Sequence, residues 1–148
     1  MRKAATHTAT SARPNRKPME RLLHYAWQNR LFPLGELHTT DGKRLEIINT
    51  GLHNCDSGPD FINSVIRIDG VEFAGNVEIH TKSSDWNRHG HTGDPKYGNV
   101  ILHVVSQADA EVKDFRGRRL LQFVMQVPQY VEENYTQLLI EEKYPPCH

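Results

Sequence analysis

The stretch Gly58-Pro59-Asp60-Phe61-Ile62-Asn63-Ser64-Val65-Ile66-Arg67-Ile68-Asp69-Gly70-Val71-Glu72-Phe73-Ala74-Gly75-Asn76-Val77-Glu78-Ile79-His80-Thr81-Lys82 decides the fold. Apolar and polar side chains alternate over residues 61–68 and 71–82, on either side of Asp69-Gly70, and an Asp-Gly pair between two such runs signals a β-hairpin. Side chains along a strand alternate between faces, so Glu78, His80 and Lys82 share one face and Val77, Ile79 and Thr81 the other. One face is chemical, the other core. A two-residue turn pairs Ile68 with Val71, Ile66 with Phe73 and Ser64 with Gly75. Continued without interruption, that register sets Asp60 opposite Ile79, on the wrong face for Glu78. A one-residue bulge would carry Asp60 opposite His80, beside Glu78, and Gly75, a glycine inside a strand, is where the sequence predicts it.

Working outward, Leu22, Leu23, Tyr25, Ala26, Trp27 and Leu31 recur at helical spacing, which predicts a helix from residue 19 to about 30, ended before Pro33. A second Asp-Gly turn, Asp41-Gly42, leads into a strand at Leu45-Glu46-Ile47-Ile48. Residues 83–98, rich in Ser, Asp, Asn and Gly, form a loop of the length that often carries function. Residues 99–105 are an apolar strand with His103 inside it, and 110–113 with 120–127 read as a further hairpin. Pro128 opens a helix from Tyr130 to about Glu142, with Val131, Tyr135, Leu138 and Leu139 on one face. This order predicts an α+β fold, an α/β sandwich whose mostly antiparallel or mixed central sheet is flanked by helices.

The chain has 148 residues, of which 37% are hydrophobic, enough for one domain with a real core. Residues 1–18 hold no acidic side chain and almost no large apolar one, and are expected to be a disordered basic tail. The single α+β domain then spans 19–148. Five of the 18 basic residues and none of the 18 acidic ones precede Met19, so residues 19–148 carry a net charge of −5. Bulk charge therefore argues against tight binding to duplex nucleic acid. No apolar run approaches the roughly 20 residues of a membrane span, and the two cysteines, Cys55 and Cys147, fit a reducing, cytoplasmic compartment better than a disulfide scaffold. The close, Tyr144-Pro145-Pro146-Cys147-His148, reads as the end of a fragment of a longer protein.

Two carboxylates, Asp60 and Glu78, converge across the hairpin if the bulge forms. Oxygen ligands at about 2.0–2.6 Å are what Mg²⁺, Mn²⁺ or Ca²⁺ require, and such an ion activates water and stabilises a phosphoryl transition state. His80 or Lys82, on the same face, would position or deprotonate that water. A second constellation lies in the loop, where His89, His91 and Asp94, with His80 or His103, would suit Zn²⁺ or Fe²⁺. Each residue also has an ordinary reading: Asp60 at a turn, Glu78 as an exposed cross-strand partner, His80 and Lys82 towards solvent, loop histidines bonded to backbone. His103 reads as a satisfied cleft histidine, Asp85-Trp86 as a capping and packing pair, and Glu20 as a third carboxylate or merely a helix-start acid.

The pattern Pro59-Asp60, then Glu78-Ile79-His80 across a hairpin, resembles the signature of the PD-(D/E)XK nuclease superfamily. The resemblance implies a restriction-endonuclease-like core and a Mg²⁺- or Mn²⁺-dependent phosphodiesterase acting on nucleic acid. It departs at His80, where that superfamily usually has Lys, so either His80 substitutes or Lys82 moves into the role. A more extended likeness, carried by Met19-Glu20-Arg21-Leu22-Leu23-His24-Tyr25, Gly51-Leu52-His53-Asn54, Gly58-Pro59-Asp60-Phe61, Gly75-Asn76-Val77-Glu78-Ile79-His80 and the run from Ser83 to Val105, resembles the N-terminal part of an uncharacterised bacterial family, domain of unknown function 2851. That likeness implies no activity. The remaining expectations are a non-catalytic interaction module on the same fold, or a histidine-based site with Zn²⁺ as the ion.

Overall fold

A computed structural model describes residues 19–114 and 116–140. The expected tail at 1–18, the tip residue Phe115 and the chain end from 141 lie outside them. Helix α1 (19–28) is followed by strands β1 (Leu37–His38), β2 (Arg44–Asn49), β3 (Leu52–His53), β4 (Phe61–Ile68) and β5 (Val71–Lys82). Helix α2 (Ser84–Arg88), two 3₁₀ turns, strands β6 (Val100–Gln107) and β7 (Gln122–Val124), and helix α3 (Gln129–Ile140) complete the described chain. The sheet is mixed, in the order β1-β2-β4-β5-β6-β7, with β3 also pairing β4. Its first half is antiparallel and its second half, β5-β6-β7, parallel. This is an α+β architecture with few helices.

One sheet face is the core. Leu45, Phe61, Ile66, Ile68, Val77, Ile79, Leu102, Val104, Phe123 and Met125 pack there against Leu23, Ala26, Trp27 and Phe32. Trp27 is fully buried and its indole N–H donates to Thr50 O at 3.0 Å, so the largest core side chain leaves no donor unpaired. Helix α3 packs Val131 and Tyr135 against Leu22 of α1. The opposite face of β5 and β6 is covered by residues 83–98, which the sequence predicted as loop. That segment folds into α2 and two 3₁₀ turns because Trp86, Tyr97, Val100, Val112 and Leu120 make a second small core beneath it.

Two further expectations change. Residues 120–127 do not stay in a hairpin. Asp114 N–H reaches Arg118 O at 2.7 Å and Leu120 N–H reaches Val112 O at 2.9 Å, but β7 then leaves to run parallel to β6. The burial of Phe123 and Met125 on the core face draws it there. Cys55 is disulfide-bonded, which corrects its reading as a reduced thiol and removes the support that reading lent to a cytoplasmic placement. No helix among the described residues is long and apolar enough to cross a membrane.

Candidate functional site

The hairpin register is Ile68↔Val71, Ile66↔Phe73 and Ser64↔Gly75, as the Asp69-Gly70 turn requires, with both turn residues at positive φ. The register then shifts to Phe61↔Val77, so the extra residue sits in β4 and not, as expected, at Gly75. Asn63 marks the place, with φ of 59°. Because side chains alternate, one inserted residue exchanges the faces of everything beyond it: Ser64, Ile66 and Ile68 face the core, and so does Phe61. Asp60 is thereby turned to the face of Glu78. Gly75 has a different job. A Cβ there would lie 2.5 Å from Ile101 Cγ2 and 2.8 Å from Asn99 O, so the glycine admits the close approach of the chain entering β6.

Asp60 and Glu78 meet directly. The Asp60 backbone N–H donates to Glu78 Oε1 at 3.1 Å, and the Ile79 N–H donates to Asp60 Oδ2 at 2.8 Å. His24, from α1, brings Nε2 to 3.4 Å from Asp60 Oδ2, and its Nδ1 lies 3.2 Å from His53 Nε2. Asn54 braces the approach to Asp60: its Nδ2 donates to Pro59 O at 2.9 Å, and its backbone N–H to Asp60 O at 2.8 Å. Burial pushes the Asp60 carboxyl up, but the His24 imidazole and the Ile79 N–H outweigh it and hold the group below the usual carboxylate range. Glu78 goes the other way. Burial, then the neighbouring Asp60 charge, raise it well above its ordinary value.

The other oxygen of Glu78 faces histidines. Its Oε2 lies 3.2 Å from His80 Nε2 and 3.0 Å from His91 Nε2. One nitrogen from each of His80, His89 and His91 lies within 4.8 Å of the other two, with His80 and His91 buried and His89 exposed. His80 Nδ1 is 2.8 Å from His103 Nε2, His103 Nδ1 is 3.0 Å from Gln122 Oε1, and Gln122 Nε2 donates to Ala110 O at 3.0 Å. The parallel register explains this chain: His103 pairs with Glu78 on β5 and with Gln122 on β7, so all three project to one face. Burial, then neighbouring imidazoles, hold His80 far below its ordinary value. Burial, then the nearby His89, lowers His91 to about 4, and burial lowers His103 to about 4, so all three are neutral at pH 7.

The covering segment is pinned from both sides. Trp86 Nε1 donates to Lys113 O at 3.0 Å, and its ring stands edge-on to His91 and His103. Tyr97 stacks on His91 with centroids 3.8 Å apart; burial, then the Glu78 and Asp60 charges, push its hydroxyl up, so it stays protonated. Asp85 is buried; it accepts from Lys82 N at 3.3 Å and pairs with Arg88 at 2.8 Å, so it packs as expected but does not cap α2, which has Ser83 at its N-cap and no side-chain cap hydrogen bond.

Of the residues singled out from sequence, Asp60, Glu78, His80, His89 and His91 come together. Two do not join them. Asp94 is used as a local cap, accepting from Lys96 N at 3.0 Å, so it is not part of the histidine group. Lys82 lies exposed at the far end of β5, where its neighbour is the carboxylate of Asp109. The sequence reading missed His24, His53 and Gln122. His24 carried one signal, its place one helical turn after Glu20, whose charge is felt at Glu78; Gln122 carried none. A family described only as a protein of unknown function matches residues 20–148. No curated protein and no solved structure matches the chain.

Proposed function

We propose that this chain, which belongs to the DUF2851 family, is a divalent-metal-dependent phosphodiesterase, nuclease-like in its chemistry, with Asp60 and Glu78 as the carboxylates that hold the ion. The observation that supports it is the meeting of these two acids across β4 and β5. The Glu78 carboxyl is buried beside the half-buried Asp60 carboxyl, whose charge pushes Glu78 up, and a cation held between the two would relieve that repulsion. The donor set fits a divalent ion, and the imidazoles beside it favour Mn²⁺ or Zn²⁺ over Mg²⁺. When bound, the ion would activate water and offset charge developing on a phosphoryl group.

The chain's own groups do the positioning. His24 and the Ile79 N–H hold Asp60 ionised. The Asp60 N–H orients Glu78. In the motif's resemblance to the PD-(D/E)XK superfamily, His80 stands where Lys is usual, and it offers a neutral Nε2 that can take a proton or bind a cation. Lys82 remains at the rim as a solvated charge, and the −5 balance of residues 19–148 favours a small or single-stranded phosphodiester over long duplex. Asp60→Asn, assayed with bis(p-nitrophenyl) phosphate and single-stranded DNA under Mg²⁺, Mn²⁺ or Zn²⁺, tests the reading. The wild type should hydrolyse with Mn²⁺ and gain about 2.7 kcal/mol of stability at ion concentrations 100-fold above Kd, and the variant should lose both. A melting temperature indifferent to all three ions would reduce the domain to a non-catalytic module.

A further inference from the structure

The direction of each hydrogen bond behind Glu78 can be worked out from the backbone inward. Gln122 Nε2 donates to the carbonyl of Ala110, so Gln122 Oε1 is an acceptor and His103 must present Nδ1–H to it. A neutral His103 then has a lone pair on Nε2, which accepts from His80 Nδ1–H at 2.8 Å. The remaining nitrogen of His80, Nε2, therefore bears a lone pair, and it points at Glu78 Oε2 from 3.2 Å. Two acceptor atoms face each other in a buried place, so either a proton or a cation has to lie between them.

His91 makes the requirement stricter. Its Nε2 also lies 3.0 Å from Glu78 Oε2, and its buried Nδ1 has no hydrogen-bond partner among the described residues. If Nε2 carries the proton, a lone pair is orphaned at Nδ1; if Nδ1 carries it, a third lone pair joins the other two. With His89 at the exposed side, one nitrogen from each of the three residues falls within 4.8 Å of the other two.

We infer that the chain holds a second, nitrogen-rich cation subsite built by His80, His89 and His91 and joined to the Asp60 side through the two oxygens of Glu78, and that it takes Zn²⁺ or another late first-row transition ion. Three imidazoles and one carboxylate are the donor set of such ions and a poor one for Mg²⁺. His103 and Gln122 hold the His80 ring in its ligating tautomer, the part that outer hydrogen bonds play at histidine metal sites. This inference deepens the proposed reading, with Glu78 shared between an oxygen-rich subsite and a nitrogen-rich one, and it makes His80 a ligand rather than the base.

Co²⁺ is the probe, followed by visible absorption and equilibrium dialysis on the full chain. The wild type should give the intense visible bands of a low-coordinate nitrogen–oxygen site. His89→Ala, a change at an exposed position, should keep the circular dichroism of the wild type and bind Co²⁺ at least about ten-fold more weakly, whereas Asp60→Asn should retain the bands. Equal Co²⁺ affinity in wild type and His89→Ala, or the pale spectrum of an octahedral aquo site in the wild type, overturns the inference. Loss of hydrolysis with retention of these bands would sink only the phosphodiesterase reading. Hydrolysis that depends on Asp60 without histidine-dependent Co²⁺ binding would sink only the second subsite.

Discussion

His24 is the residue whose removal reads out most directly. Burial alone would raise the Asp60 carboxyl, and the imidazole at 3.4 Å is the largest influence holding it down. In metal-free His24→Gln the Asp60 carboxyl should therefore titrate at higher pH than in the wild type, followed by its carbon-13 resonance. An unmoved titration would remove His24 from the site. Nothing near His24 in sequence points to Asp60, because the contact joins α1 to a strand start 36 positions away. Glu78 and His80 were legible, since alternation along a strand is a local rule. Their partners across β6 and β7 were not, since a parallel register has no turn to set it.

At the scale of elements, the bulge in β4 is what makes the site. Asn63 holds φ of 59°, a conformation that asparagine tolerates and β-branched residues resist. Asn63→Val should cost about 1–2 kcal/mol in urea unfolding, and should weaken metal binding because Asp60 is aimed by the bulge. Asn63→Gly should leave both close to wild type. Gly75→Ala is a separate case: its Cβ would meet Ile101 and the Asn99 carbonyl, and overpacking of this kind costs about 1–3 kcal/mol. The Asp69-Gly70 turn was predictable because two residues at positive φ demand it. The bulge was predicted in kind but placed on the wrong strand, because the reason for a glycine at 75 lies in the segment packed over it and not in its own strand.

For the whole molecule, the buried histidines make stability depend on pH. His91 and His103 titrate at about 4 in the folded protein, and His80 is lowered further. Unfolded imidazoles titrate near about 6.5. Between those values the unfolded chain takes up protons that the folded chain refuses, so stability is full above the upper value and falls as pH drops towards the lower. Glu78, raised on folding, opposes this by one proton against three. The melting temperature of metal-free protein should therefore decline from about pH 6.5 to about pH 4, and a flat scan would count against the buried neutral cluster. Trp86, fully buried beneath His91 and His103, should be as important to the fold as to the site: Trp86→Ala should cost about 3–5 kcal/mol and lower Co²⁺ affinity.

By itself the sequence determined the hairpin, its turn register, the two faces of residues 77–82, the first and last helices and the mixed α+β class, because each follows from the spacing of side chains along a short stretch. Only the tertiary structure decided which strand bulges, that β7 runs parallel to β6, and that His24, His103 and Gln122 stand behind Asp60 and His80. Those outcomes come from packing between segments far apart in the chain, where burial of Phe123, Trp86 and Ile101 outweighs any local preference.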